Sequence, residues 1–99
     1  MAFGVKRQEM LHWKAMVSDG TIAYLTHYWV EPRFPTIKTV TKVGCSDLKK
    51  LTSWCERYGL SPQYIHQRSE YPHYDLIGTK QKEILYSEQL WDQIKRFGI

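Results

Sequence analysis

The chain has 99 residues, a net charge of +4, and an aromatic share that includes four Trp and seven Tyr. That length holds one domain, residues 1–99, with a single core. No apolar run approaches ~18 residues, which excludes a membrane-spanning helix and leaves a membrane partner unexpected. The two cysteines, Cys45 and Cys55, form no C-x-x-C pair, and Met1-Ala2-Phe3-Gly4 is neither a secretory leader nor a myristoylation signal. The expectation is a soluble cytoplasmic protein with free thiols. The excess charge is focused: Arg33, Lys38, Lys42, Lys49 and Lys50 stand against Asp47 alone within residues 32–50, and the rest of the chain is balanced. A focused basic segment favours an anionic ligand or partner, although a solvated face would carry the same charge.

In chain order, Lys6 to Val17 has a helical pattern, with Met10, Trp13 and Val17 on one face. Ser18-Asp19-Gly20 ends it with turn chemistry. Thr21 to Val30 is rich in β-branched and aromatic residues and reads as a strand. Its two faces, Ile22, Tyr24, Thr26, Tyr28 and Ala23, Leu25, His27, Trp29, both carry bulk, as in a central strand covered on both sides. Prolines 32 and 35 make the next segment a loop. Thr36 to Val43 is a second strand whose Lys38, Val40 and Lys42 share a face, placing two ammonium groups on one side of a sheet. Leu48, Leu51, Cys55 and Tyr58 then give the clearest helical stripe in the chain. Ser46 or Asp47 caps its start and Gly59 its end, with Leu60 folding back.

Gln63 to Gln67 reads as a short strand and 68–71 as loop. The stretch from Tyr71 to Lys80 gathers an imidazole, two phenols, a carboxylate and an ammonium around Pro72 and Gly78. It is expected to be a loop that delivers His73, Tyr74 and Asp75 to one place, with Thr79 capping a helix from Lys80. Ser87 is placed to cap a last helix carrying Leu90, Trp91, Ile94 and Phe97. The fold class is therefore α/β or α+β, with a short mixed sheet of two to three strands packed with three to four helices.

Gly44-Cys45-Ser46-Asp47-Leu48, then Leu51, Tyr58-Gly59-Leu60, Pro72-His73-Tyr74-Asp75-Leu76 and Lys80, resembles a small bacterial and phage domain of unknown function. The closer likeness is to the uncharacterised YneQ-like family of Gram-positive bacteria, from Met1-Ala2-Phe3-Gly4 through His73-Tyr74-Asp75-Leu76. It spans most of the chain, and that last motif followed by Lys80 is its most specific part. The wider family places a His four residues before the position of Cys45; Thr41 stands there, so no role for that His carries over. The resemblance implies no activity. Its occurrence in phages implies one idea, capture of a host signalling molecule.

Five constellations carry chemistry. Lys42-x-Gly44-Cys45-Ser46-Asp47 sits at a strand-to-helix junction, where free N–H groups and Lys38 and Lys42 would suit a phosphate; it is not a Walker loop, and a plain cap by Asp47 accounts for it as well. His73 and Asp75 point the same way in an extended segment, fit for general acid–base work or for a ligand's hydroxyls, with Lys80 near a phosphate. A backbone-satisfying His73 and a turn-capping Asp75 are the plainer alternative. His27, His73 and Asp75 would make two imidazoles and a carboxylate, but their separations match no metal motif, and His12 and His66 have no partner at ligand spacing; no metal and no cofactor are expected. Cys45 at a helix start would be a nucleophile only if exposed. Tyr24, Tyr28, Trp29, Tyr64, Tyr71 and Tyr74 can stack on bases or fill the core.

Binding is favoured over catalysis. The expected ligand is a phosphorylated, nucleotide-derived small molecule, a sequestered nucleotide signal if the chain is phage-encoded. Its phosphate would lie near Lys42 and Ser46 or Lys80, its base on Tyr28 or Tyr74, and its ribose on Asp75, with His73 in the same site. The alternatives are a nucleic-acid-binding module, a small hydrolase or transferase using His73 and Asp75, and a protein-inhibiting partner. A homodimer with sites at its interface is also compatible.

Overall fold

The computed structural model describes residues 4–99; Met1-Ala2-Phe3, which carries part of the family likeness and the reading of the chain start, lies outside the described residues. The elements are α1 (Arg7–Ser18), β1 (Ala23–Tyr28), β2 (Thr39–Gly44), α2 (Leu48–Arg57), a 3₁₀ turn (Pro62–Tyr64), β3 (His73–Leu76), α3 (Gly78–Ser87) and α4 (Trp91–Phe97). The three strands form one antiparallel sheet in the order β1-β2-β3. The class is α+β. β2 is central and β1 lies at the edge, although both faces of β1 carry buried residues.

Strand alternation sends two sets of side chains to two separate cores. On one face Val43 and Leu76 join Leu51, Trp54, Cys55, Ile84, Leu85 and Ile94 from α2, α3 and α4. On the other, Ala23 and Leu25 pack with Trp13 and Val17 of α1. The second cluster is small because α1 covers only part of that face, and the uncovered part is where the candidate site forms.

Gly44 sets how closely α1 approaches. A Cβ there would lie 2.6 Å from Trp13 Cζ2 and 2.7 Å from Val17 Cγ2. The missing side chain admits the helix, and the Trp13 indole N–H donates to the Ala23 carbonyl at 3.0 Å.

Under the opposite face a polar seam crosses the apolar core. Gln81 Nε2 donates to Thr41 Oγ1 (3.1 Å), the Thr41 and Thr26 hydroxyls share a bond (2.6 Å), and Thr26 donates to Gln93 Oε1 (2.5 Å). Thr39 donates to Gln81 Oε1 and Gln93 Nε2 donates to the Tyr24 carbonyl, both at 3.1 Å. Beside the seam, Glu88 accepts from Tyr24 (2.7 Å) and Tyr58 (2.6 Å), and Trp54 donates to the Tyr24 oxygen (2.8 Å). The Tyr58 bond, helped by the Tyr24 bond, holds the Glu88 carboxyl below its usual range against the opposing effect of burial. Burial first, then Glu88, pushes the Tyr24 phenol far up.

Four local expectations need correction. Residues 73–76 form a paired strand rather than a loop, because β2 offers them a complete hydrogen-bonding edge. Residues 63–67 form no strand: Pro62 opens a 3₁₀ turn, and only His66 pairs, in an isolated antiparallel bridge with His73. α3 starts at Gly78 without a side-chain cap from Thr79, and Ser87 ends α3 instead of capping α4. The α2 ends follow the sequence closely. Asp47 accepts from the Lys50 N–H at 3.2 Å. Gly59, at φ +70°, closes the other end, with the Leu60 N–H reaching the Cys55 carbonyl at 2.8 Å.

Candidate functional site

β-strand register builds the site. Lys42 of β2 lies opposite Leu25 of β1 and Asp75 of β3, His27 lies opposite Val40, and His73 lies opposite Gly44. These residues therefore share the α1 face. Where α1 stops covering them, a cleft of about 520 Å³ opens. Its floor includes His27, Val40, Lys42, His73 and Asp75, and its walls include Trp13 and Lys14 from α1, Trp29, and Tyr71 from the loop before β3. The Lys14 ammonium sits 5.3 Å from the centre of the Tyr71 ring, so a cation and an aromatic face occupy one wall.

His27 is the most informative floor residue. It is 4% exposed. Its Nδ1–H donates to the Tyr28 carbonyl at 2.9 Å, which leaves Nε2 as an acceptor. That Nε2 is buried and has no partner among the described residues. Burial lowers the His27 pKa; the Tyr28 carbonyl opposes the shift, and the nearby Lys42 ammonium adds to it. A neutral imidazole on the cleft floor thus keeps a buried, unfilled lone pair, and the same cleft holds the Lys42 ammonium. Buried acceptors left without a donor are rare and costly.

At the other end, Asp75 meets two imidazoles. His66 Nε2 is 3.2 Å from Oδ2, and His73 Nε2 is 3.7 Å from Oδ1. The two rings stack with centroids 4.8 Å apart, and His73 Nδ1–H donates to the Tyr71 carbonyl at 2.7 Å.

Of the residues expected at the site, Lys42, His73 and Asp75 come together here, so the basic segment and the His73 strand are direct neighbours. The others lie elsewhere. Tyr28 and Tyr74 point to the opposite face, Tyr28 against Phe97 (4.9 Å) and Tyr74 against Trp54 (6.4 Å). Ser46 binds back to α1, its N–H to the Val17 carbonyl (2.9 Å) and its hydroxyl to the Ser18 carbonyl (3.3 Å). Lys80 donates to the Tyr58 carbonyl at 3.0 Å, closing the end of α2. The α2 start is already occupied by Asp47, and Gly44 accommodates Trp13 rather than an open approach to the backbone.

The basic segment is not one patch either. Arg33 pairs with Glu31 at 2.8 Å, Lys50 donates to the Gly20 carbonyl at 2.7 Å, and Lys38 lies in a separate depression beside Lys82. Cys45 is wholly buried, and burial raises the Cys55 thiol to about 11, so neither is an accessible thiolate.

Sequence reasoning missed Trp13, Lys14 and His66 as site residues, and His27 as its buried acceptor. The missing signal for His66 was the return of the chain around residues 67–72, which sets it opposite His73. For Lys14 it was the position one residue beyond Trp13, at the margin of the helix face that packs on the sheet.

No protein-family model matches the chain, and no solved structure matches it. A full-length relative in Bacillus subtilis strain 168, "Uncharacterized protein YneQ", is 56% identical over 99 residues, covering the whole of both chains.

Proposed function

The chain belongs to the YneQ family, and we propose that it binds a phosphorylated, nucleotide-derived small molecule in the cleft beside α1. The observation that carries this reading is the unpartnered Nε2 of buried His27 on the floor of an aromatic-walled cleft that also holds Lys42. A ligand N–H or hydroxyl would fill that acceptor. Lys14 and Lys42 would neutralise phosphate, and the rings of Trp29 and Tyr71 offer faces for a base, a contact worth about 1–3 kcal/mol. Asp75 would accept from ribose hydroxyls. The free, buried thiols fit a reducing compartment, and no helix among the described residues is long and apolar enough to cross a membrane.

The test is thermal unfolding against nucleoside mono- and diphosphates, cyclic nucleotides, ADP-ribose derivatives and short oligonucleotides, all with EDTA present. Lys42→Met, which keeps the aliphatic stem, is run in parallel. A ligand at a hundred times its Kd stabilises the native state by about 2.7 kcal/mol. We expect one mononucleotide class to raise Tm and Lys42→Met to abolish the shift. Oligonucleotide-only binding with a steep salt dependence would replace this reading with a nucleic-acid module. No shift with any compound would remove it.

A further inference from the structure

We propose that His66, His73 and Asp75 form a binding site for a divalent transition-metal ion of the zinc, cobalt or nickel type. One ligand atom from each residue lies within 4.8 Å of the other two, and this is the only such His, Cys, Asp or Glu cluster among the described residues.

Its geometry follows from the fold. His73 and Asp75 are two apart on β3 and share a face. His66 is brought beside them by the backbone bridge in which its N–H donates to the His73 carbonyl at 2.8 Å. Both imidazoles then direct Nε2 toward the same carboxylate, at 3.2 and 3.7 Å, each on a different oxygen.

The surroundings of His73 also match what a ligating imidazole needs. Its Nδ1–H is donated to the Tyr71 carbonyl, which fixes the ring and leaves Nε2 as the free lone pair. The site has an entry path: the side chains of His66 and Asp75 are 56% and 38% exposed, while that of His73 is 13% exposed. Two imidazoles and a carboxylate select borderline divalent ions over Ca²⁺ or Mg²⁺, which prefer an all-oxygen shell. Three protein donors leave room for water or another group to complete the coordination.

A simple ion pair between His66 and Asp75 explains one of these contacts. It does not explain a second imidazole stacked on the first, held by its far nitrogen and aimed at the remaining carboxylate oxygen. The site shares His73 and Asp75 with the nucleotide cleft but needs neither His27 nor Lys42, and the EDTA in the nucleotide assay separates the two outcomes.

The experiment is calorimetric titration of chelator-stripped wild-type protein with Zn²⁺, and with Co²⁺ followed by its visible absorption. His66→Ala and Asp75→Asn are titrated beside it, each checked for native melting. His66 is exposed and belongs to neither core cluster, so its truncation leaves both cores intact. We expect one ion per chain, a cobalt spectrum of nitrogen–oxygen ligation, and weakening of at least about tenfold in either variant, since loss of even an outer-shell partner costs that much. Acidification weakens binding as protons compete for the imidazoles. Absence of binding to the wild type, or equal binding in natively folded His66→Ala, overturns the assignment.

Discussion

Replacing Gly44 by Ala tests how α1 is seated, and with it the origin of the cleft. The new Cβ would lie 2.6 Å from Trp13 Cζ2, 2.7 Å from Val17 Cγ2 and 3.3 Å from the Pro72 carbonyl. Carbon atoms pack comfortably at about 3.5–4.0 Å, so the helix must retreat by roughly 1 Å. Trp13 and Val17 are both buried, and the indole bond to Ala23 fixes the ring, so neither has slack to absorb the shift. Overpacking of this kind costs about 1–3 kcal/mol. The gain from restricting the unfolded chain offsets about 0.4–1 kcal/mol of that, which leaves a net loss of about 1.3 kcal/mol at the middle of the two ranges.

At about 4–8 °C per kcal/mol for a domain of this size, Tm should fall by roughly 5–10 °C. Circular dichroism melts and urea titrations measure it, with Gly20→Ala as the control. Gly20 has φ +80° and nothing within 4 Å of a Cβ, so its cost is backbone strain alone, about 1–2 kcal/mol, and it leaves the cleft unchanged. A Gly44→Ala protein as stable as the wild type would refute the seating of α1 on β2. A destabilised Gly44→Ala protein whose ligand binding matched that of Gly20→Ala would instead refute the link between that seating and the cleft.

Other outcomes follow from the same contacts. His27 has a lowered pKa in the folded state, so the unfolded chain takes the proton first. Its contribution is complete above about pH 6.5 and is lost as pH falls below that value. Lys42 and Asp75, which face it, pull in opposite directions, and His27→Gln should flatten the fall in Tm between about pH 7.5 and 5.5. Glu88→Ala removes the acceptor of two phenols and should cost about 2 kcal/mol in urea unfolding, Glu88→Gln less. Because the Glu88 pKa is lowered, its contribution to stability is present above about pH 4.5 and is lost as pH falls through the folded value. Lys80→Ala leaves the Tyr58 carbonyl without its donor and should lower stability by about 0.5–1.5 kcal/mol; an unchanged urea midpoint would show that water replaces the ammonium.

Helical periodicity and end chemistry were legible because they are local. Leu51, Cys55, Gly59 and Leu60 carry α2 and its closure within a short window of sequence. The alternation that separates Tyr24 and Thr26 from Leu25 and His27 was legible for the same reason. Pairing was not, since the identity of the partner strand depends on contacts far apart in the chain. That is why residues 73–76 resembled a loop until β2 supplied an edge for them. At the site, Lys42, His73 and Asp75 were visible as chemistry, and their adjacency came only with the register. Tyr28, Ser46, Tyr74 and Lys80 have equally suggestive chemistry, but alternation turns the tyrosines away, and backbone carbonyls at the ends of α1 and α2, distant in sequence, occupy Ser46 and Lys80. His66 had no visible partner because its neighbour is made by a loop return.

The threonine–glutamine seam has a bearing on how this family can drift. Thr41 accepts from Gln81 and shares a bond with Thr26, which in turn donates to Gln93. Changing one member to an apolar residue leaves its neighbours unsatisfied in a buried layer, at about 1–3 kcal/mol for each group. Changing all of them to apolar groups of matching shape removes the demand altogether and can be nearly neutral. Lineages should therefore keep Thr26, Thr39, Thr41, Gln81 and Gln93 as a block or lose them as a block. Intermediate combinations should each be less stable than either complete set.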